Sequence, residues 1–331
     1  MTVPDPGGYG TICYVRGKSP KMKIVFMGTP AAAAVSLERL IAEGHQIVAV
    51  YTQPDRPSGR GNKIVFSPVK DLTVKNDVPL FQPSKIRNDE AVREFAQLDA
   101  DIAVVVAYGR ILPEGFLNAF PNGAVNLHFS LLPKYRGAAP VNWAIVNGEK
   151  VTGVTTIRMD AGLDTGDILM ARETGIGEDE NAPELMQRLA ELGAEVLVET
   201  LANFDKIKPV FQDESAATYA PIMKREDGLI GWTRTAREIS DRVRGFQPFP
   251  GSYTFIHGKR VVIWAAKPAG SDKCSSHPGG NLHLNEGDLL VGAGEGTVLA
   301  VSELQFEGKR RMSATEALNG GLIVLGGKFG Q

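Results

Sequence analysis

Asn126 and His128 lie two residues apart in the run AVNLHFS, Ala124 to Ser130. The run is apolar enough for a buried strand, and a strand's period of two puts both side chains on one face, with Leu127 and Phe129 on the other. At the carboxyl end of a strand in an open α/β sheet, such a face borders the crevice where ligands bind. An amide supplies N–H donors, and histidine is the side chain that exchanges protons near neutrality. A carboxylate is available downstream: Asp164 in DAGLDTGD, where Gly162 and Gly166 permit tight turns that could fold the segment back over the sheet. Asp160 and Asp167 compete for that place. Together an Asn, a His and an Asp suit transfer of a carbonyl group to an amine. The amide holds a developing oxyanion, the imidazole carries a proton from the attacking amine to the departing nitrogen, and the carboxylate orients the imidazole. A covalent route needs a nucleophile beside the base, and Ser130 shares the face of Asn126 and His128. Each of the three also has a plain structural alternative: a satisfied histidine, a turn-capping asparagine, a loop-capping aspartate.

A second set is cationic. QPDRPSGRGNK, Gln53 to Lys63, follows a predicted strand and carries Arg56, Arg60 and Lys63 on a long irregular loop rich in Gly and Pro. Three cations there could clasp an anion or a polynucleotide, or simply decorate an exposed loop. Other chemistries lack their residues. The first strand ends in MGTPA, with Gly28 alone where a dinucleotide site needs G-x-G-x-x-G, and GxxxxGK[ST] is absent. Cys13 and Cys274 form neither a disulfide framework nor a C-x-x-C ligand pair, and no metal is expected.

The elements that must position these residues begin at Met22. KIVFMG (Lys23 to Gly28), a helical segment through Ala33, Leu37, Leu40 and Ile41, and QIVAVYT (Gln46 to Thr52) form a βαβ unit. A helix at about Asn88 to Leu98 and the apolar run DIAVVVAY continue the alternation into AVNLHFS. VTTIRM and DILMAR read as hairpin partners around DAGLDTG, and a long amphipathic helix follows from about Ala182 to Phe204. This predicts an α/β domain with an open, mostly parallel Rossmann-like sheet over residues 22–207 and an extended linker over 208–228. A domain over 229–331 follows, in which GSYTFIHG, KRVVIWAA, GDLLVGAG, GTVLAVSELQF and LIVLGG are the strands of a small OB-like β-barrel. Residues 1–21 show no periodicity and read as a disordered leader or an upstream extension.

The chain has 331 residues, 43% hydrophobic and 22% charged, enough for two cores. No run approaches the roughly 20 apolar residues of a membrane span, and the leader lacks the pattern of a signal peptide, so a cytoplasmic protein is expected. No coiled-coil repeat is evident, which points to a monomer. The net charge of −2 is unevenly spread: residues 206–331 carry 16 Lys+Arg against 13 Asp+Glu, and the first 205 carry 20 against 25. That split, +3 against −5, favours the second domain for contact with a polyanion.

At this point the residues carry a resemblance. MKIVFMGTP, YTQPDRPSGRGNKIVFSPVK, NLHFSLLPKYRGAAP, MDAGLDTGDIL, ATYAPIMKREDG, GFQPFPGSYT and LQFEGKRRMSATEALNG resemble the methionyl-tRNA formyltransferases of the folate-dependent formyltransferase family, a resemblance that covers essentially all of Met22 to Gln331. NLHFSLLP with LDTGD is similar to patterns in sugar-amine formyltransferases, glycinamide ribonucleotide formyltransferases and formyltetrahydrofolate hydrolases as well. The SGRGNK loop and GFQPFPGSYT favour the tRNA branch. The resemblance implies transfer of the formyl group of 10-formyltetrahydrofolate to the amino group of methionine on initiator tRNA, in translation initiation. It implies Asn126, His128 and Asp164 as the catalytic trio, and Ser130, Leu131, Leu132 and Pro133 as a wall of the folate site. It implies further that the Arg56 to Lys63 loop, with Arg60, approaches the acceptor end, and that the terminal domain helps hold the tRNA. In one place the chain departs from the pattern: Ala31 and Ala32 stand where the family usually has Asp-Phe after GTP.

Overall fold

The computed structural model describes residues 21–58, 63–270, 279–285, 288–324 and 326–330. The leader, apart from its last residue Lys21, lies outside the described residues, as does Arg60. The chain divides into two compact units interleaved along the sequence. The first takes the chain up to His128, then Thr155–Ala171 and Glu191–Gln212; the second takes Phe129–Val154, Arg172–Ala190 and everything from Asp213 onward.

The first unit is built on the strands β1 (Lys23–Gly28), β2 (Gln46–Tyr51), the short pair β3 (Arg56–Ser58) and β4 (Lys63–Val65), β5 (Leu80–Phe81), β6 (Ile102–Val106) and β7 (Ala124–His128). The helices α1 (Ala31–Ala42), α2 (Pro68–Lys75), α3 (Asp89–Ala96) and α4 (Glu114–Leu117) lie between them. The chain continues through β8 (Arg136–Gly137), α5 (Pro140–Val146), β9 (Val151–Arg158), β10 (Ile168–Gly175) and α6 (Ala182–Ala202). The main sheet runs β10-β9-β7-β6-β1-β2-β5. β5, β2, β1, β6 and β7 are parallel neighbours, and β9 joins β7 antiparallel. Parallel order with crossover helices buries both faces, which is why β1, β6 and β7 read as near-continuous apolar runs.

On one face Val25, Met27, Ala49, Tyr51, Ala103, Val105 and Ala124 pack with Phe95, Phe116 and Phe120. Phe95 and Phe116 stack with ring centroids 3.9 Å apart. Period two carries this face on from Ala124 to Asn126 and His128. On the other face α1 comes close enough to β1 that a Cβ at Gly28 would sit 2.7 Å from that of Ala33, so only glycine fits there. Ala31 and Ala32 open α1, whose first turn carries no acidic residue and whose Pro30 cap makes no side-chain hydrogen bond.

The second unit contains β8 paired in parallel with β11 (Tyr219–Ala220), and α5 with α7 (Ala236–Gly245). Its largest sheet is antiparallel: β12 (Ser252–Ile256), β13 (Lys259–Pro268), β16 (Val298–Phe306), β15 (Asp288–Gly292) and β14 (Leu282–Asn285), with β17 (Met312–Ser313) on β16. α8 (Ala314–Asn319) packs against it. Ile239, Val243, Val261, Ile263, Leu299, Leu304 and Ala317 belong to its core. The alternating burial of β12 and β13 is that of a sheet with one face inward, as an OB-like barrel requires. The run LIVLGG forms no strand among its described residues. Ile323 is apolar because it is buried in this core, and apolarity reports burial, not conformation.

Candidate active site

β7 is buried along its whole length, pairing Val105 with Asn126 on one side, and Ile157 with Asn126 and Thr155 with His128 on the other. Leu127 points the opposite way, toward α6, where a Cβ at Gly193 would meet its Cδ2 at 2.8 Å. The strand therefore turns Asn126 and His128 to one face, at its carboxyl end, both under 10% exposed.

The segment between β9 and β10 delivers the carboxylate. Asp164 has φ 55°, a left-handed conformation uncommon for a residue with a side chain. Its Oδ1 accepts from Asn126 Nδ2 at 3.4 Å, and its Oδ2 lies 3.6 Å from His128 Nδ1. The structure thus brings Asn126, His128 and Asp164 together around one carboxylate. Asp160 is turned to its own loop, where Oδ1 accepts from Gly162 N at 3.0 Å and Thr165 Oγ1 at 2.7 Å. Asp167 contributes a backbone carbonyl to Arg158 N at 2.9 Å. Two glycines make the loop possible. A Cβ at Gly166 would sit 1.9 Å from the Arg158 carbonyl oxygen, and one at Gly162 would meet Thr165 Oγ1 at the same distance.

Ser130 to Pro133 continue the chain directly from His128. The Ser130 hydroxyl donates to the Lys134 carbonyl at 2.6 Å, and Lys134 N donates to the Leu131 carbonyl at 3.1 Å, so the segment is a closed turn. Leu132 is buried, and its peptide bond to Pro133 is cis. The cationic loop after β2 has more order than its composition suggests. Arg56 and Lys63 lie on an antiparallel hairpin, Arg56 opposite Val65 and Ser58 opposite Lys63.

At the base of that hairpin lies a polar network built by residues that spacing alone does not single out. Asp55 accepts from Lys70 Nζ and, at 2.9 Å, from Gln82 Nε2, and these bonds hold its carboxyl below the usual aspartate range. Gln82 also donates to the Gln53 carbonyl at 2.9 Å. Gln53 Nε2 donates to the Tyr108 carbonyl at 2.9 Å, and Arg110 Nε donates to Gln53 Oε1 at 3.2 Å. Arg110 lines an open cleft of about 420 Å³ with Lys85, Arg87 and Ile111, a place with the charge to receive an anion. The signal for Arg110 is its position just past the carboxyl end of β6, the same rule that marks His128. Among the described residues no group of three or more His, Cys, Asp or Glu side chains converges to hold a metal ion. Among them, too, no helix is long and apolar enough to cross a membrane.

Comparison with known proteins shows the family and the fold. A family model described as formyl transferase matches residues 22–201, and one described as formyl transferase, C-terminal domain, matches 222–322. The methionyl-tRNA formyltransferase of Geobacter sulfurreducens is 46% identical over 312 residues, 94% of this chain and 97% of its own. That of Koribacter versatilis is 49% identical over 304 residues, 90% and 96% of the two chains. Among solved structures, the N-formyltransferase of Helicobacter canadensis, in complex with folinic acid and dTDP-3-aminofucose, superposes with a TM-score of 0.64 at 19% identity, covering 85% of this chain and 98% of its own. HypX of Aquifex aeolicus, in complex with tetrahydrofolic acid, gives 0.62 at 19%, covering 92% and 48%. Those two are likenesses of fold, whereas the matches over nearly the whole sequence are likenesses of family: the chain belongs to the formyl transferase family, among the methionyl-tRNA formyltransferases.

Proposed function

We infer that the chain transfers the formyl group of 10-formyltetrahydrofolate to the α-amino group of methionine carried by initiator tRNA, in translation initiation. The observation that carries this reading is the Asp164 carboxylate set against both Asn126 and His128 in a chain of this family. Its donor set suits a formyl amide. An asparagine amide has two N–H donors, and with one directed at Asp164 the other can hold charge on the formyl oxygen. His128 presents Nδ1 to Asp164, so Nε2, the opposite ring nitrogen, serves the reacting groups.

The steps follow from those roles. The uncharged methionyl amine forms a C–N bond to the formyl carbon as Asn126 stabilises the negative charge on the formyl oxygen. His128 Nε2 takes a proton from the attacking nitrogen, Asp164 offsets the charge then carried by the imidazolium, and the same proton passes to N10 as its bond to the formyl carbon breaks. No acyl-enzyme is required, which accords with the Ser130 hydroxyl being engaged by the Lys134 carbonyl.

The remaining assignments rest on the same reading. Ser130, Leu131, Leu132 and Pro133 form a wall for the folate, and Arg56, Arg60 and Lys63 meet the acceptor end of the tRNA. Residues 22–207 are the catalytic domain, 208–228 a linker and 229–331 a tRNA-binding domain; the family-model matches ending at 201 and resuming at 222 support this division. A monomer in the cytoplasm accords with two cysteines outside any disulfide framework and with the absence of a coiled-coil repeat. The test offers 10-formyltetrahydrofolate together with charged initiator tRNA, free methionine or an amino-sugar nucleotide as acceptor. Formylation of the charged tRNA alone is expected; formylation of only the sugar would reject the reading.

A further inference from the structure

The geometry points to Gln212 as the residue that positions Asp164, and so as part of what makes the catalytic trio competent. Gln212 lies beyond α6, in a stretch whose composition reads as linker, yet it is only 1% exposed. Its Nε2 donates to the carbonyl oxygen of Asp164 at 2.9 Å and to that of Gly166 at 2.7 Å. Two carbonyl acceptors require the amide nitrogen, not the amide oxygen, at this position, so the partners themselves fix the orientation of the side chain. The stretch is anchored just before it. Val210 and Ile168 exchange both backbone hydrogen bonds, each 2.8 Å, so Gln212 reaches the loop from a fixed base.

The loop needs such a brace because of where it must hold Asp164. Asp tolerates the left-handed region better than most residues, yet this conformation still carries strain that contacts holding the loop offset. Asp160 holds the loop from within, through Gly162 N and Thr165 Oγ1. Gln212 holds it from outside, by alternate carbonyls on either side of Thr165. The carboxylate's own approaches, 3.4 Å to Asn126 and 3.6 Å to His128, are longer than the about 2.7–2.9 Å of a strong charge-assisted bond. Without Gln212, Asp164 can relax toward an ordinary backbone conformation and swing its carboxylate away from the imidazole. Gln212 touches neither reacting group; it is a positioning residue acting through Asp164.

The inference rests on the proposed function, and the test separates the two. Gln212→Met keeps the volume and removes both donors. Methionyl-tRNA formylation by this variant should show kcat lowered about 10–100-fold, the scale of a misplaced catalytic group, with KM for tRNA and for 10-formyltetrahydrofolate within about 3-fold of the parent. In an Asp164→Asn background the same substitution should cost less than about 3-fold, because a residue that works through Asp164 has little left to position. If Gln212→Met does not accumulate as folded protein, Gln212→Glu, which matches the size and disrupts the pair of donors, takes its place in the same cycle. A loss that is equal in both backgrounds, a loss confined to KM, or an unchanged kcat would overturn the role of Gln212. Absence of formylation by the parent enzyme would instead overturn the function.

Discussion

Asp164 joins an amide and an imidazole through one carboxylate, and under the proposed mechanism that arrangement divides the work of the reaction between its neighbours. In the proposed mechanism Asn126 places an N–H on the formyl oxygen, where charge grows as the amine attacks, so its contribution would be larger in the transition state than in the bound substrate. Asn126→Ala is expected to lower kcat by about 10²–10³ while tRNA affinity changes little, measured by steady-state formylation and direct binding. A rise in KM at unchanged kcat would mean that Asn126 merely binds. Much of this site was legible in the sequence. Strand periodicity alone puts Asn126 and His128 on one face, and two glycines flag a loop able to turn back. Spacing could not choose among Asp160, Asp164 and Asp167, because that choice depends on how the loop closes on the end of β9. Gln212 was invisible for a similar reason: a glutamine in a polar stretch carries no sign that its amide will be buried against two carbonyls 46 and 48 residues earlier.

At the scale of elements, two of the proposed tRNA contacts fall on a defined hairpin. The β3–β4 hairpin carries Arg56 and Lys63, and the Asp55, Lys70 and Gln82 network fixes the residues leading into it. Arg56→Ala and Lys63→Ala are expected to weaken tRNA binding and to reduce the slope of log affinity against log salt by about one for each phosphate that is no longer neutralised. Unchanged affinity and slope across a salt series would remove the hairpin from the RNA interface. The network also has a pH signature. The carboxyl of Asp55 titrates below its usual range in the folded chain, so its contribution to stability is present above the unfolded value and disappears as pH falls through the folded one. Thermal unfolding of the parent and of Asp55→Asn should therefore differ most near neutrality and converge in acid, below about pH 4; a gap that stays constant with pH would show that Asp55 does not act as a bound carboxylate. At this scale the sequence was a good guide to the parallel strands, whose short apolar runs, β-branched in β6 and bounded by glycine and polar residues, favour strands over helices, and a poorer one near the carboxyl end. There LIVLGG looks like a strand but supplies Ile323 to a core, while α8 is announced by a quieter signal, the Ser313 and Glu316 capping box. The hairpin was hidden by Pro57 and by the glycines at 59 and 61, which read as irregular loop.

The whole molecule joins a slightly acidic region that holds the trio to a more basic one, −5 over residues 1–205 and +3 over 206–331. A net charge of −2 says little about an RNA partner when the two signs are segregated in this way. The proposed function implies a division of labour: chemistry rests on two side chains at the end of β7 and one from the loop between β9 and β10, and the affinity for a polyanion as large as tRNA is spread over many cations elsewhere. Loss of a catalytic group should then slow the reaction without loosening the complex. The central measurement is single-turnover formylation of methionyl-tRNA by His128→Ala at saturating enzyme and 10-formyltetrahydrofolate, with tRNA affinity measured on the same preparation. A chemical rate reduced by at least roughly 10² with nearly unchanged affinity is the result predicted, and a near-normal rate would contradict the account.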